Sequence, residues 1–168
     1  AAELPEVASL VLGTGEVSPL DMAAGYSTFA NRGIRNQPTM IARIEQVDEG
    51  GGVTVIDQAR PTGERVLTEL EADLVTHCLR QVIEGGTGTS ASFGPPAAGK
   101  TGTTQDNKDA WFVGYTPKLT AAVWMGYPDV GEDGEVPTMK NVHGLPGVTG
   151  GSLPAEIWRK FMAGATEG

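Results

Sequence analysis

The stretch richest in chemistry runs Gly94-Pro95-Pro96-Ala97-Ala98-Gly99-Lys100-Thr101-Gly102-Thr103-Thr104. Its first eight residues fit the phosphate-binding pattern GxxxxGK[ST], in which loop N–H groups, a lysine and a hydroxyl hold nucleotide phosphates. That use needs a buried strand before the loop and a helix N-terminus after it. Here Thr87 to Ala98 is rich in Gly, Ser and Pro, and Thr101-Gly102-Thr103-Thr104 is a poor helix start. Nucleotide binding is therefore the weakest reading. As a strand, the same residues do something else. An edge strand offers backbone N–H and C=O groups to an extended peptide. Gly102 lets that peptide approach closely. The Thr101 and Thr103 hydroxyls fall on one side, because strand side chains alternate. Lys100 places a cation near an anionic group. The plain reading of Lys100 is a charge that guards a sheet edge against aggregation.

Other reactive types carry less. Asp109 is expected to cap the turn into its strand. Trp111, Phe112, Trp124 and Tyr127 read as core and sheet-packing residues. His77 is expected to face solvent or a polar neighbour on a helix and His143 to lie in a loop; they share no metal-ligand spacing with Cys78 or with a carboxylate cluster. Cys78 falls on the apolar stripe of a predicted helix and reads as an inert packing thiol. Gly25-Tyr26-Ser27-Thr28-Phe29 misses the nucleophile-elbow pattern at its last position, and Ser27 sits inside a helical segment. No metal or cofactor is expected.

The chain has 168 residues, which suits one domain or a large piece of one. A net charge of −9, from 21 acidic against 12 basic residues, argues against nucleic acid, which demands a basic surface. No apolar run reaches the roughly 18 residues of a membrane span. The start, Ala1-Ala2-Glu3-Leu4-Pro5, lacks the charge and apolar stretch of a signal peptide. These features fit a cytosolic protein, or a portion of one whose anchor lies upstream.

The elements that must position these residues are legible. Ser18-Pro19-Leu20-Asp21 is a helix start, with Ser18 as N-cap and Pro19 at the first helical position. The helix runs to Asn31-Arg32-Gly33. Met40 to Val47 and Val53 to Ile56 read as a hairpin across Gly50-Gly51-Gly52, and a short strand is expected at Arg65-Val66-Leu67. Thr68 and Glu71 form a capping box. It opens a helix whose apolar stripe is Leu70, Leu74, Val75, Cys78, Leu79, Val82 and Ile83, ended by Gly85-Gly86. Three closely connected strands follow, Gly99 to Thr104, Ala110 to Thr116 and Leu119 to Tyr127, which must be antiparallel neighbours. Pro128 to Gly151 is irregular, and Pro154 to Met162 closes the chain as a helix. The order is α+β, an antiparallel sheet flanked by helices.

Lys100-Thr101-Gly102-Thr103 at the head of a meander resembles the Lys-Thr-Gly strand of penicillin-binding proteins and serine β-lactamases. Its surroundings sharpen the likeness. Asp109-Ala110-Trp111-Phe112-Val113-Gly114-Tyr115-Thr116-Pro117 and Ala121-Ala122-Val123-Trp124-Met125-Gly126-Tyr127 resemble the last two strands of bifunctional, class A penicillin-binding proteins. Ser18 to Gly33, Glu84 to Thr89 and Pro154 to Met162 resemble their flanking segments. Val47 to Arg65 and Pro128 to Gly151 match least. The resemblance implies the β-lactamase/penicillin-binding-protein transpeptidase-like fold, with residues 1–168 as the C-terminal part of one transpeptidase domain. It implies a D,D-transpeptidase that binds D-Ala-D-Ala stem peptides or β-lactams and cross-links peptidoglycan by serine acyl transfer, without a cofactor. Lys100, Thr101, Gly102, Thr103 and Thr104 would bind substrate. Lys100 would also hold the positive potential of the cleft, and the Thr103 N–H would be an oxyanion donor.

One departure is large. None of Ser9, Ser18, Ser27, Ser90, Ser92 and Ser152 begins a Ser-x-x-Lys or a Ser-x-Asn. The nucleophile and its activating lysine are absent from this sequence. In the family both precede the helix that starts at Ser18. The resemblance therefore implies an upstream portion of the same protein as partner, possibly as a separate chain, and an extracytoplasmic site reached through an anchor in that portion. Alone, the chain is expected to be inactive. The rival readings are a non-catalytic peptidoglycan- or β-lactam-binding module of the same fold and, last, the nucleotide binder.

Overall fold

Ser18 begins α1 (Pro19–Ala30) as expected. Its Oγ accepts the Asp21 N–H at 3.1 Å and donates to Asp21 Oδ2 at 2.8 Å, so the first turn is closed from both sides. The computed structural model describes residues 6–60 and 62–167. The helix stops at Asn31, and Gly33 takes φ +89°, where a Cβ would run into the Leu67 carbonyl. Ile34–Arg35 then forms β1. No apolar alternation announces this strand, because it is two residues long and exists only by pairing with β4. The hairpin is present as β2 (Arg43–Val47) and β3 (Val53–Gln58). It starts later than Met40, since Met40 and Ile41 lie outside the ladder. Asp48 Oδ1 accepts the N–H groups of Gly50 and Gly52 at 2.9 and 2.7 Å, an Asx-type closure that holds the turn. β4 covers Glu64–Arg65, shifted toward the N-terminus from the predicted strand, because its register is set by β1.

α2 (Glu69–Glu84) opens on the predicted capping box. Thr68 Oγ1 accepts the Glu71 N–H at 3.2 Å, and Glu71 Oε2 accepts the Thr68 N–H at 2.7 Å. The single apolar stripe predicted for it is in fact two. Ala72, Leu79 and Ile83 are buried, with Val75 packed beside them, whereas Leu70 and Leu74 are 69% and 58% exposed and Cys78 is exposed. At 100° per residue, positions 70, 74 and 78 stack on the outer side of the turn that buries 72, 75, 79 and 83. Cys78 is therefore a surface thiol, not a core one.

The cap makes a prediction. Hydrogen bonds from Thr68 hold the Glu71 carboxyl below its usual range, and Arg32 does the same for Asp73 through a bond of 2.8 Å. A depressed folded-state pKa gives stability that is present above the ordinary carboxylate range and lost as pH falls through the lowered value. Thr68→Ala is expected to cost about 1 kcal/mol. The variant should also lose less than the parent on acidification. Thermal melts of the full-length protein across acidic pH check both.

The sheet is β5 (Ala98–Thr103), β6 (Asp109–Tyr115) and β7 (Thr120–Gly126), antiparallel in that order. α2 packs on β5, while α1 and α3 (Leu153–Thr166) both reach β6 and β7. Alternation sorts the side chains into two layers. Phe112, with Ala97, Ala155, Trp158 and Met162, builds the core under α3. Tyr115 and Ala98, with Leu79, Val75, Tyr26 and Phe29, build the core under α1 and α2. Trp158 is fully buried and donates its Nε1–H to the Ala121 and Gly114 carbonyls at 3.1 and 3.3 Å. Tyr127, expected in the core, is 45% exposed because it lies just beyond β7.

Candidate functional site

β5 is an edge strand: it pairs with β6 on one side and with no described strand on the other. The bond from the Thr104 N–H to the Asp109 carbonyl, at 3.0 Å, sets the phase of the ladder. Hydrogen-bonded positions alternate. Ala98, Lys100, Gly102 and Thr104 therefore direct their backbone groups to β6, while Gly99, Thr101 and Thr103 direct theirs to the free edge. Residues 94–101 are not a phosphate loop. Lys100 and Thr101 sit in the middle of a strand, so no helix N-terminus stands behind them.

The side chains divide by face. Lys100 and Gly102 lie on the face of α1 and α2, and Thr101 and Thr103 on the face of α3. Lys100 is exposed, and its Nζ donates to the Thr101 carbonyl at 2.8 Å. Among the described residues it makes no ion pair, so its charge is free for a guest. Thr101 is half-buried, with Oγ1 2.7 Å from Thr87 Oγ1. Thr103 is exposed, and its Oγ1 accepts the Gly150 N–H at 3.0 Å. Gly102 leaves its place over Trp111 empty: a Cβ would meet Trp111 Cβ at 3.2 Å. Thr104 falls one residue beyond β5. Its hydroxyl serves the turn, accepting the Asp109 N–H at 2.7 Å.

Asp109 differs from expectation. It does not cap the turn; its Oδ1 accepts the Trp124 Nε1–H at 2.8 Å, across the sheet. Asp109, Trp111 and Trp124 share one face, where the two indoles tilt together at 6.4 Å. Behind the strand, Tyr115 bonds Thr76 at 2.8 Å, and burial pushes the Tyr115 and Tyr26 phenols up.

Opposite β6, the edge of β5 has no facing wall of strand among the described residues. An open hollow of about 670 Å³, lined by residues including Ser90, Ser92, His143, Glu156 and Arg159, lies elsewhere, and none of Lys100, Thr101, Gly102 and Thr103 lines it. Two contributors went unforeseen. Thr87 and Gly150 lie 14 and 47 residues from the hydroxyls they bond. The only trace in sequence is the Gly150-Gly151 pair ahead of the last helix.

Comparison with known proteins agrees with this geometry. The family described as penicillin binding protein transpeptidase domain matches residues 6–161. Penicillin-binding protein 1A of Mycolicibacterium smegmatis is 36% identical over 164 residues, 95% of this chain and 20% of that protein. Penicillin-binding protein 1A of Aquifex aeolicus is 45% identical over 120 residues, 71% of this chain and 16% of that protein. The chain thus spans about a fifth of such relatives. Among solved structures, the D,D-transpeptidase domain of a peptidoglycan glycosyltransferase from Eggerthella lenta superposes with a TM-score of 0.64 at 25% identity, over 88% of this chain and 32% of that one. Penicillin-binding protein 1A from Haemophilus influenzae shares the fold with a TM-score of 0.75 at 24% identity, over 98% of this chain and 28% of that one. A family match across nearly the whole length, on an antiparallel sheet whose free edge carries Lys-Thr-Gly, means that this chain belongs to the penicillin-binding protein transpeptidase domain family.

Proposed function

We propose that this chain supplies the substrate-binding strand of a serine D,D-transpeptidase that cross-links peptidoglycan, and that residues 1–168 are the C-terminal part of that domain. The observation that carries the reading is the free edge of β5, where Thr101 and Thr103 turn their N–H and C=O groups outward beside an unpaired Lys100. A stem peptide ending in D-Ala-D-Ala, or a β-lactam, would lie along this edge as an added strand. Thr103 N–H would stabilise the oxyanion as a serine attacks the penultimate D-alanyl carbonyl and D-alanine leaves. The Thr101 and Thr103 hydroxyls would hold the carboxylate of the guest, and Lys100 would set the positive potential of the groove. Thr104 would brace the turn after the strand. Since this sequence contains no Ser-x-x-Lys or Ser-x-Asn, the nucleophile would come from an upstream portion of the protein, which would also form the missing wall. This chain alone would not turn over substrate. The site would face the extracytoplasmic side of the membrane, held there by that upstream portion.

Labelling of the full-length protein with a fluorescent penicillin tests the reading, because a covalent adduct requires the serine. Thr103→Val should slow acylation about 10-fold, the cost of one hydrogen bond to a charged group, and lower the melting temperature by only about 2–4 °C, because the Gly150 N–H loses its acceptor. A protein that folds, binds penicillin reversibly and forms no adduct would be a non-catalytic binding module instead.

A further inference from the structure

Thr103 presents a hydroxyl at the edge of the groove, and the direction of its proton decides whether it can serve an anion. A threonine hydroxyl has one proton and two acceptor lone pairs. Here one lone pair is occupied by the Gly150 N–H at 3.0 Å. Among the described residues Thr103 Oγ1 donates to no other group, so its proton remains available to a guest.

The segment behind Gly150 is built to hold that N–H still. The turn from Thr149 to Ser152 is closed three times: Thr149 N–H to Ser152 Oγ at 2.9 Å, Ser152 Oγ to the Thr149 carbonyl at 2.7 Å, and Ser152 N–H to the same carbonyl at 3.0 Å. Val148, fully buried, bonds Met139, and the Val148 carbonyl accepts Asn107 Nδ2 at 2.8 Å. Gly150 itself is buried against the strand pair. A Cβ there would stand 2.5 Å from the Gly102 carbonyl and 2.8 Å from the Gly102 nitrogen, with the Trp111 carbonyl nearer still. These are backbone atoms and cannot swing aside. Its φ lies outside the left-handed region, so space alone demands glycine. Gly151 meets the Thr87 carbonyl in the same way, and Thr87 holds the other strand hydroxyl, Thr101.

We propose that Gly150 is a positioning residue that commits the Thr103 hydroxyl as a hydrogen-bond donor to the substrate carboxylate. The proposal rests on the transpeptidase reading above and adds a residue outside the Lys-Thr-Gly strand to it. The Gly150 N–H acts only through Thr103 and touches no substrate.

The test is a double-mutant cycle in the full-length protein, read as the rate of acylation by a carboxylate-bearing fluorescent penicillin. Gly150→Ala should slow acylation on the order of 10-fold, mainly by raising the penicillin concentration needed for half-maximal rate. In a Thr103→Val background the same change should cost at least about 3-fold less than in the parent, the remainder being the push of the new Cβ on the Gly102 backbone. An equal loss in both backgrounds would overturn the proposal. Should Gly150→Ala not fold, hydrogen exchange decides. The Gly150 amide of the parent should exchange slowly, and at least about 10-fold faster in Thr103→Val; an unchanged rate would refute the coupling. Parent protein that labels with penicillin but shows no coupling sinks this inference alone. Parent protein that never labels sinks the transpeptidase reading itself.

Discussion

Trp158→Ala is expected to be the most destabilising single change in this chain, with a loss of about 3–5 kcal/mol. Trp158 is fully buried between Phe112, at a centroid distance of 5.2 Å, and Phe93, at 5.8 Å. Its indole N–H bridges two carbonyls, one on β6 and one on β7. Truncation removes the largest side chain in the core under α3 and leaves a void that its close-packed neighbours can fill only in part. Domains are stable by only about 5–15 kcal/mol, so between about a fifth and the whole of the margin would go. Trp158→Phe should recover much of the packing and lose only the N–H bonds, for a cost of about 1–2 kcal/mol. Chemical denaturation of the full-length protein, followed by near-ultraviolet signals, measures both. A loss below about 1 kcal/mol for Trp158→Ala would show that α3 is not anchored through this residue.

Thr103→Pro is expected to give the largest loss of acylation. The Thr103 N–H faces away from β6, so proline there breaks no ladder bond, and edge strands tolerate proline at such a position. What disappears is the outward N–H together with the hydroxyl. Removing one oxyanion donor costs about 10²–10³-fold in rate. Thr103→Ala is the control, since it drops the same hydroxyl and keeps the N–H. The rate of penicillin labelling should fall much further for Pro than for Ala, with similar melting temperatures. Equal rates in the two variants would remove Thr103 N–H from the oxyanion role and leave only its side chain.

Much of this was readable from residues in a row. Local signals act over one or two turns, and the structure keeps them: Ser18 and Thr68 cap their helices, Gly50-Gly51-Gly52 turns a hairpin, and the three strands after Ala97 pair as a meander. The short pair β1 and β4 was half missed, because two residues carry no periodicity and the pairing spans 29 residues or more. Cys78 was misplaced because an amphipathic count cannot tell one broad apolar stripe from two narrow ones. Which of them turns inward depends on where β5 lies. Asp109 was misassigned because the partner of its carboxylate, Trp124, stands on another strand.

The sequence by itself determined the Lys100-to-Thr103 strand, the helices that flank the sheet, and the family, because each rests on residue types at short spacing. The tertiary structure alone decided which backbone groups of β5 face outward, and that Thr87 and Gly150 grip the two hydroxyls. Those facts depend on ladder phase and on contacts between segments far apart in the chain, which leave at most a mark such as the Gly150-Gly151 pair, since a hydrogen bond between distant residues constrains their positions without prescribing their neighbours.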